Sequence, residues 1–260
     1  HGIDLHINAA GERRIFAVNH REHPEAEVSS ITIYKMSETG LLDVEADIVD
    51  EKIYRPNDVA AVSETEFYVT NDLMSDWNSL DQTLDLFAVR NSGNLVHYKN
   101  GDTQIVAGPY AMPNGVSYNP SSDQVFVAET LKGRILGFSR NADGTLQSIG
   151  KVNANTAVDN FAISEKGDLY TGAHINILQF AGHRADEEKA SAGNVVRLEI
   201  DESGNVMSSP VQAVLTTKGE TGEFGADGRL SGISVAAAHK NIMLIGSVFE
   251  PRIWRCEMAS

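Results

Sequence analysis

This chain is built on a repeat whose clearest copy is PNDVAAVSETEFYVTND, residues 56–72. The copy opens on Asn57-Asp58 before a β-branched residue, and about a dozen residues later its apolar run Phe67–Val69 ends in polar side chains. Short runs of β-branched and aromatic residues are typical of strands. Four other copies follow the same order and begin with His1-Gly2-Ile3, Asn114-Gly115-Val116, Asp159-Asn160-Phe161 and Ser231-Gly232-Ile233.

The spacing of the copies indicates a β-propeller. They start 45 to 72 residues apart, which is too irregular for a solenoid, whereas each propeller blade is a self-contained sheet with loops of free length. Turn residues such as Asn100-Gly101 and Asp143-Gly144 predict the outer hairpins. The sequence therefore predicts an all-β fold, with residues 1–260 as one propeller domain of about five blades. We expect a missing N-terminal segment to add about one blade and to close the ring.

Composition narrows the classes of partner. The chain has 21 basic and 36 acidic residues, a formal net charge of −15, and this predicts no nucleic-acid partner because phosphate binding needs a basic stripe. No apolar run reaches the ~20 residues of a spanning helix, so we expect membrane contact only through the missing N-terminus, if at all. Cys256 is the only cysteine, so no internal disulfide can form and the redox compartment stays open.

Some segments fall outside the repeat. Apolar residues at three- and four-residue steps over Met74–Val89 predict a lid helix or ordered loop, with a surface insertion of no role as the alternative. Residues 181–193 are polar and charged, which predicts an exposed loop. Most histidines are expected to be solvated or without a role, namely His6, His23, His97, His183 and His239.

The start of each repeat copy holds the candidate site. Inner propeller strands converge on a central channel, so residues far apart in sequence can line one site. Their amide and carboxylate oxygens are the donors that calcium prefers; the alternative is that these residues merely cap turns. The candidate ligands are Asn57, Asp58, Asn114, Asp159 and Asn160.

Two histidines are expected to meet. His1 opens the first inner strand and His20 ends the next one, and antiparallel pairing places these two ends together. Paired imidazoles can share a proton, and one of them can activate water as a general base. His174 holds the strand-exit position that His20 and Asp72 hold in other copies, so we expect it at the mouth of the site.

These residues carry a resemblance that spans essentially the whole chain. The sequence resembles the serum paraoxonase/arylesterase family, which implies a six-bladed propeller that binds two calcium ions and hydrolyses lactones and aryl esters. The runs that carry the resemblance are His1–Ile3, Val18–His20, Pro56–Val62, Phe67–Asp72, Asn114–Val116, Val158–Asn160, Gly167–Gly172 and Leu244–Phe249.

The resemblance also assigns roles. It implies that one calcium, the catalytic one, is bound by Asn57, Asn114, Asp159 and Asn160. It implies a structural calcium on Asp58 and the carbonyl oxygen of Ile3, and a catalytic dyad of His1 and His20. By their strand-exit positions, and not by the resemblance, Asn71, Asp72 and His174 are expected to line the substrate pocket.

The sequence departs from the family pattern in three places. The family's Glu-Asp pair, one ligand for each calcium, would precede His1 in the missing blade. Cys256 resembles a family cysteine that bridges to the N-terminus, and Leu73 stands where mammalian members have histidine. No Gly-x-Ser-x-Gly motif is present, which argues against an acyl-enzyme.

The predicted function is calcium-dependent hydrolysis of small esters or lactones. The resemblance also suggests a protein that is secreted or anchored to a membrane by the missing segment. Two alternatives stay open: a gluconolactonase-like or strictosidine synthase-like propeller, which lacks the paired histidines, and a non-catalytic propeller that binds a partner.

Overall fold

The computed structural model describes residues 1–21, 28–74, 89–186, 188–201, 205–218 and 230–258. Nearly all regular structure in these ranges is β-strand, arranged as five sheets in which strand order follows the chain. This confirms the all-β propeller fold with five blades. The first two blades are β1 (Ile3–Ile7), β2 (Arg13–Arg21), β3 (Val28–Met36), β4 (Leu42–Ile48), and β5 (Pro56–Ser63), β6 (Glu66–Asn71), β7 (Gly93–Lys99), β8 (Asp102–Tyr110).

The remaining blades follow the same order. The strands of the third are β9 (Pro113–Asn119), β10 (Gln124–Glu129), β11 (Arg134–Arg140) and β12 (Leu146–Asn153). The fourth contains β13 (Ala157–Ile163), β14 (Leu169–His174), β15 (Gly193–Leu198) and β16 (Gln212–Thr216), and the fifth, over its described residues, β17 (Ile233–His239), β18 (Ile242–Ser247) and β19 (Trp254–Glu257). A short 3₁₀ turn (Thr130–Lys132) and one α-helix, α1 (Ile177–Ala185), complete the described elements.

The chain forms two compact units. Unit 1 contains residues 1–127 and 138–148, and unit 2 contains residues 128–137 and 149–260. Each unit has its own apolar core built from inner-strand residues that alternate along the chain. Buried members in unit 1 are Phe16, Val18, Ile31, Val59, Phe67 and Val69, and in unit 2 Tyr170, Val195, Ile233, Ala236 and Ile245.

The predicted strands and turns are confirmed where the structure describes them. Phe67–Val69 lies within β6, and the runs predicted in the other four copies lie within β2, β10, β14 and β18. Asn100 and Gly101 both have positive φ, at 52° and 97°, and close the β7–β8 hairpin. That conformation matches the twist of paired strands and favours Asn-Gly.

The repeat motif coincides with a feature that the sequence did not reveal. The inner strand gains one extra residue between Pro56 and Val59, between Val158 and Phe161, and between Ile233 and Val235. Such β-bulges bend a strand and redirect its side chains, and they are common beside functional sites. In these three blades the inner strand therefore bends at or directly after the motif.

Several expectations for the other segments need correction. Residues 181–193 are not a loop throughout, because α1 ends at Ala185 and its inward residue His183 is fully buried. Asn176 starts this helix, since its side-chain oxygen accepts hydrogen bonds from the amides of Leu178 and Gln179. His97 is also buried and lies 2.9 Å from Glu66, so it is not solvated either.

Some of the remaining expectations are confirmed, and others concern residues outside the described ranges. His6 lies in β1, as expected, and the His239 side chain is 61% exposed. Residues 75–88 of the predicted Met74–Val89 helix, and His23, lie outside the described residues. Within the described ranges, no helix is both long enough and apolar enough to cross a bilayer.

Candidate functional site

The structure brings His1 and His20 together in unit 1. Strands β1 and β2 pair with Ile3 opposite Ala17, and the Val18 amide donates to the Gly2 carbonyl at 2.9 Å. This pairing extends beyond β1 and leaves Nδ1 of His1 3.0 Å from Nε2 of His20, with the two rings edge-on at 90°. The distance is that of a hydrogen bond between ring nitrogens.

His20 is the more enclosed of the two. It is half-buried whereas His1 is exposed, and its Nδ1 lies 3.1 Å from the hydroxyl of Ser29 on the paired strand β3. Burial lowers the pKa of His20 below the ordinary value of 6.5. At neutral pH the His20 ring is therefore held in its uncharged form, in which one nitrogen accepts a hydrogen bond.

Asp58 is locked in place beside the first strand. Its Oδ1 accepts from the Val59 amide and its Oδ2 from the Val116 amide, both at 2.9 Å. The Gly2 amide donates to the Asn57 carbonyl, and a Cβ on Gly2 would lie 2.0 Å from Asp58 Oδ1. Glycine at position 2 therefore allows the first strand to approach this carboxylate, which explains the small residue in the first copy of the motif.

Two further predicted ligands flank this contact: Ile3 follows Gly2 in the chain, and Asn57 precedes Asp58. Ile3, at the start of β1, has a hydrocarbon side chain without donor atoms, so only its backbone oxygen can serve as a metal ligand. Asn57 is buried at the start of β5.

Two of the predicted calcium ligands carry an unmet hydrogen-bonding capacity. The side-chain Oδ1 of Asn114 in unit 1 and that of Asn160 in unit 2 are buried and accept no hydrogen bond from the described residues. A buried acceptor without a donor costs about 1–3 kcal/mol. A hard cation prefers oxygen ligands of this type, so these residues fit a calcium ion.

The donor set is amide-rich. No cluster of three or more His, Cys, Asp or Glu side chains arranged to hold a metal occurs among the described residues. This agrees with a site whose predicted ligands are mainly asparagine, and it gives no support to a zinc-type site.

The predicted substrate-pocket residues differ in their surroundings. Asn71 is fully buried, and its carboxamide accepts from the Arg55 amide and donates to the Lys52 carbonyl and to Asn94. The carboxylate of Asp72 lies 2.7 Å from the guanidinium of Arg55. In unit 1 both residues therefore tie neighbouring segments together, and a role in contacting substrate stays a prediction.

His174 lies at the end of β14 in unit 2, next to another predicted ligand. Its Nε2 is 3.2 Å from Oδ2 of Asp159, and its ring stacks on Phe180 of α1 with centroids 3.7 Å apart. Phe180 in turn contacts Phe249 at 5.2 Å. The sequence did not assign a role to Phe180, and the only signal for it was the helix start at Asn176.

Comparison with known proteins gives a consistent family. A family model described as arylesterase matches residues 1–258. The chain is 27% identical to human serum paraoxonase/arylesterase 1 over 263 residues, which cover 99% of this chain and 68% of that protein. It is 25% identical to serum paraoxonase/arylesterase 2 of Gallus gallus, with the same coverage.

Solved structures support the fold. A gluconolactonase from Xanthomonas campestris matches with a TM-score of 0.53 at 14% identity, and the match covers 98% of this chain and 71% of that one. The PQQ-bound aldose sugar dehydrogenase from Streptomyces coelicolor matches with a TM-score of 0.54 at 12% identity, covering 98% and 78%. At these identities the likeness concerns the fold alone.

Proposed function

The chain belongs to the arylesterase family, and from that premise we propose that it is a calcium-dependent hydrolase of carboxylic esters, with lactones and aryl esters as substrates. Membership of this family supports the hydrolase class, and the relatives named above carry arylesterase in their names. The observation that carries the proposed chemistry is the 3.0 Å contact between the imidazoles of His1 and His20.

The calcium ligands proposed are those that the family resemblance implies. Unit 1 holds Asn57 and Asn114, and unit 2 holds Asp159 and Asn160. Support within each unit comes from one buried amide oxygen that lacks a donor among the described residues, since coordination to a cation would satisfy it. Asp58 and the carbonyl oxygen of Ile3 are proposed for the structural calcium. Bound calcium would act as a Lewis acid on the substrate carbonyl.

The hydrogen-bond geometry suggests which nitrogen acts as the base. A neutral His20 can donate from Nδ1 to Ser29 and accept at Nε2 from Nδ1 of His1. That arrangement leaves Nε2 of His1 with a lone pair, on the more exposed ring. His1 is therefore proposed as the general base, and His20 as the residue that fixes its tautomer and orientation.

The proton balance of the reaction follows from this arrangement. Nε2 of His1 removes a proton from water, and the water oxygen forms a bond to the carbonyl carbon. When the C–O bond to the leaving group breaks, the same proton passes from His1 to the departing oxygen. The charge on His1 in between is stabilised by its Nδ1–H bond to neutral His20. The products are a carboxylic acid and an alcohol, a phenol or, from a lactone, a hydroxy acid.

A substrate assay tests this proposal. We expect the full chain to hydrolyse phenyl acetate and a γ- or δ-lactone in calcium-containing buffer, and a chelator to abolish both rates. Hydrolysis of the lactone alone would favour the gluconolactonase-like alternative. Absence of both activities with calcium present would support a non-catalytic propeller and would refute the proposed hydrolase.

A further inference from the structure

We propose that His183 is a positioning residue of unit 2, which fixes α1 so that Phe180 keeps His174 against Asp159. This inference rests on the proposed function, because Asp159 matters there as a calcium ligand. His183 was expected to be solvated, yet it is fully buried on the inner side of α1. A buried imidazole in an otherwise mostly exposed nine-residue helix needs a reason in the structure.

Two serine hydroxyls hold the imidazole. Nδ1 of His183 lies 3.0 Å from Oγ of Ser191 and 3.2 Å from Oγ of Ser231. The Ser231 hydroxyl donates its proton to the Ser191 carbonyl at 3.1 Å, and the Ser191 amide donates to Ser231 Oγ at 2.8 Å. With the Ser231 proton on the Ser191 carbonyl, the arrangement that satisfies both serines has Nδ1 of His183 as the donor toward Ser231. The two serines are themselves fully buried.

The same serine network reaches the segment that carries Phe249. The Ser247 hydroxyl donates to the Ser231 carbonyl, and the Phe249 amide donates to Ser247 Oγ at 3.1 Å. Gly232, with φ of 63°, lies so close to Phe249 that a Cβ would be 2.7 Å from the ring. The fifth copy of the repeat, Ser231-Gly232-Ile233, therefore serves to anchor His183 and Phe249, and not to present an amide or carboxylate as the second, third and fourth copies do.

A series of aromatic contacts connects the ring of His183 to the candidate site. Phe249 contacts the His183 ring at 4.1 Å and the Phe180 ring at 5.2 Å, and Phe180 stacks on His174 at 3.7 Å. His174 then contacts Asp159 through Nε2. One face of α1 thus links a buried polar anchor to a predicted calcium ligand. A group bonded directly to a metal ligand, as His174 is to Asp159, commonly tunes metal affinity.

Two substitutions separate the polar anchor from ring packing. His183→Phe keeps an aromatic ring against Phe249 but removes the Nδ1–H donor, whereas His183→Asn keeps a donor near the Nδ1 position and removes the ring. The matched control is His239→Phe, because His239 belongs to the same unit and its side chain is 61% exposed. Calcium chloride is the probe, and calorimetry on the full chain measures its dissociation constant.

We expect His183→Phe to weaken calcium binding about 3-fold, less than the 10- to 100-fold loss for a group bonded directly to a metal ligand, because His183 acts on Asp159 only through Phe180 and His174. His183→Asn should restore most of the affinity, and His239→Phe should match the wild type. Ester hydrolysis by His183→Phe should recover as calcium is raised to saturation, with kcat near that of the wild type. A double-mutant cycle with Ser231→Ala should show that the two substitutions are not additive.

The outcomes distinguish this inference from the proposed function. If the wild type binds calcium and His183→Phe binds it equally well, the positioning role is wrong, even if amide hydrogen exchange in α1 becomes faster. Activity that stays low at saturating calcium would also contradict it. If the wild type neither binds calcium nor hydrolyses esters, the proposed function itself is refuted, and the positioning role with it.

Discussion

Two buried polar groups of unit 1, one at each end of the blades, differ in how far the described protein satisfies their hydrogen bonds. In unit 1, Asn114 lies at the end of the blades where His1 and His20 meet, and its buried side-chain oxygen has no donor among the described residues. At the opposite end of β6, the buried carboxylate of Glu66 is bonded to Arg140, His97 and Lys99. Burial removes both groups from water, which is unfavourable, but only for Glu66 do hydrogen bonds within the described protein compensate the loss.

Unit 2 shows the same contrast. Asn160 has an unmatched oxygen at the start of β13, and Nδ1 of His174 at the end of β14 is also buried without a partner among the described residues. At the other end of this hairpin, Asp168 accepts from Arg197 at 2.7 Å and from the Ile200 amide at 2.9 Å. Buried polar groups whose hydrogen bonds are satisfied stabilise the fold, whereas an unmatched oxygen at a predicted ligand position is where a bound cation would complete the structure.

The largest expected effect is on catalysis at the histidine end. His20→Leu removes the acceptor that orients His1, and we expect kcat for phenyl acetate to fall about 10³-fold, a typical loss for general-base catalysis. His20→Gln should lose less, because its side-chain oxygen can still accept from His1. Neither substitution should change the increase in thermal midpoint that calcium produces. Glu66→Gln, at the opposite end of the blades, should leave kcat close to that of the wild type. A kcat for His20→Leu equal to that of the wild type would contradict the dyad.

Asn71 and Asn114, two buried asparagines of unit 1, allow a satisfied side chain to be compared with an unmatched one. Asn71→Ala removes three hydrogen bonds and should destabilise the protein by about 3 kcal/mol with or without calcium. Asn114→Ala removes an unmatched oxygen and should change calcium-free stability by less than about 1 kcal/mol. At a calcium concentration of 100 Kd, however, it should lose about 2.7 kcal/mol of calcium-induced stabilisation. Thermal denaturation measures both, and calcium stabilisation retained in Asn114→Ala would exclude it as a ligand.

The smallest expected effect is on the stability of the fold in acid, through the hydrogen-bonded carboxylate of Glu66. Burial raises the pKa of Glu66, but hydrogen bonds from Arg140, His97 and Lys99 outweigh it and lower the pKa to about 2. The ionised carboxylate therefore stabilises the fold above about pH 4.5, and this stabilisation is lost as the pH falls toward 2.

Glu66→Gln should cost about 2 kcal/mol at pH 7, with allowance for screening, and should converge with the wild type near pH 2. Urea denaturation as a function of pH gives the answer, with exposed Glu38→Gln as the control. A constant difference between Glu66→Gln and wild type across that pH range would show that the carboxylate is not the source of the stability.

The sequence predicted the parts of the molecule that depend on local pattern. Phe67–Val69 and Asn100-Gly101 were assigned to a strand and a hairpin because periodicity and turn conformation are local properties. The meeting of His1 and His20 also followed, since it needs only the antiparallel pairing of neighbouring strands.

What depends on distant partners could not be predicted. His97 was expected to be solvated from its local context. Its partner Glu66 lies 31 residues away on a neighbouring strand, so the contact that buries it is not visible in the sequence. The burial of His183 depends on Ser231, which is 48 residues distant. The β-bulges were equally hidden, since an extra residue in β5 or β13 is visible only once the register with the neighbouring strand is known.

We propose above that this family member needs calcium, at the end of the blades where His1 and His20 meet, in order to hydrolyse esters. The most direct test removes metal from the full chain with a chelator and then restores calcium stepwise. Thermal midpoint and phenyl acetate hydrolysis are measured at each step. Both should rise from low values and saturate over the same range of calcium concentration. Hydrolysis that is undiminished in the chelator, or a midpoint that does not respond to calcium, would contradict it.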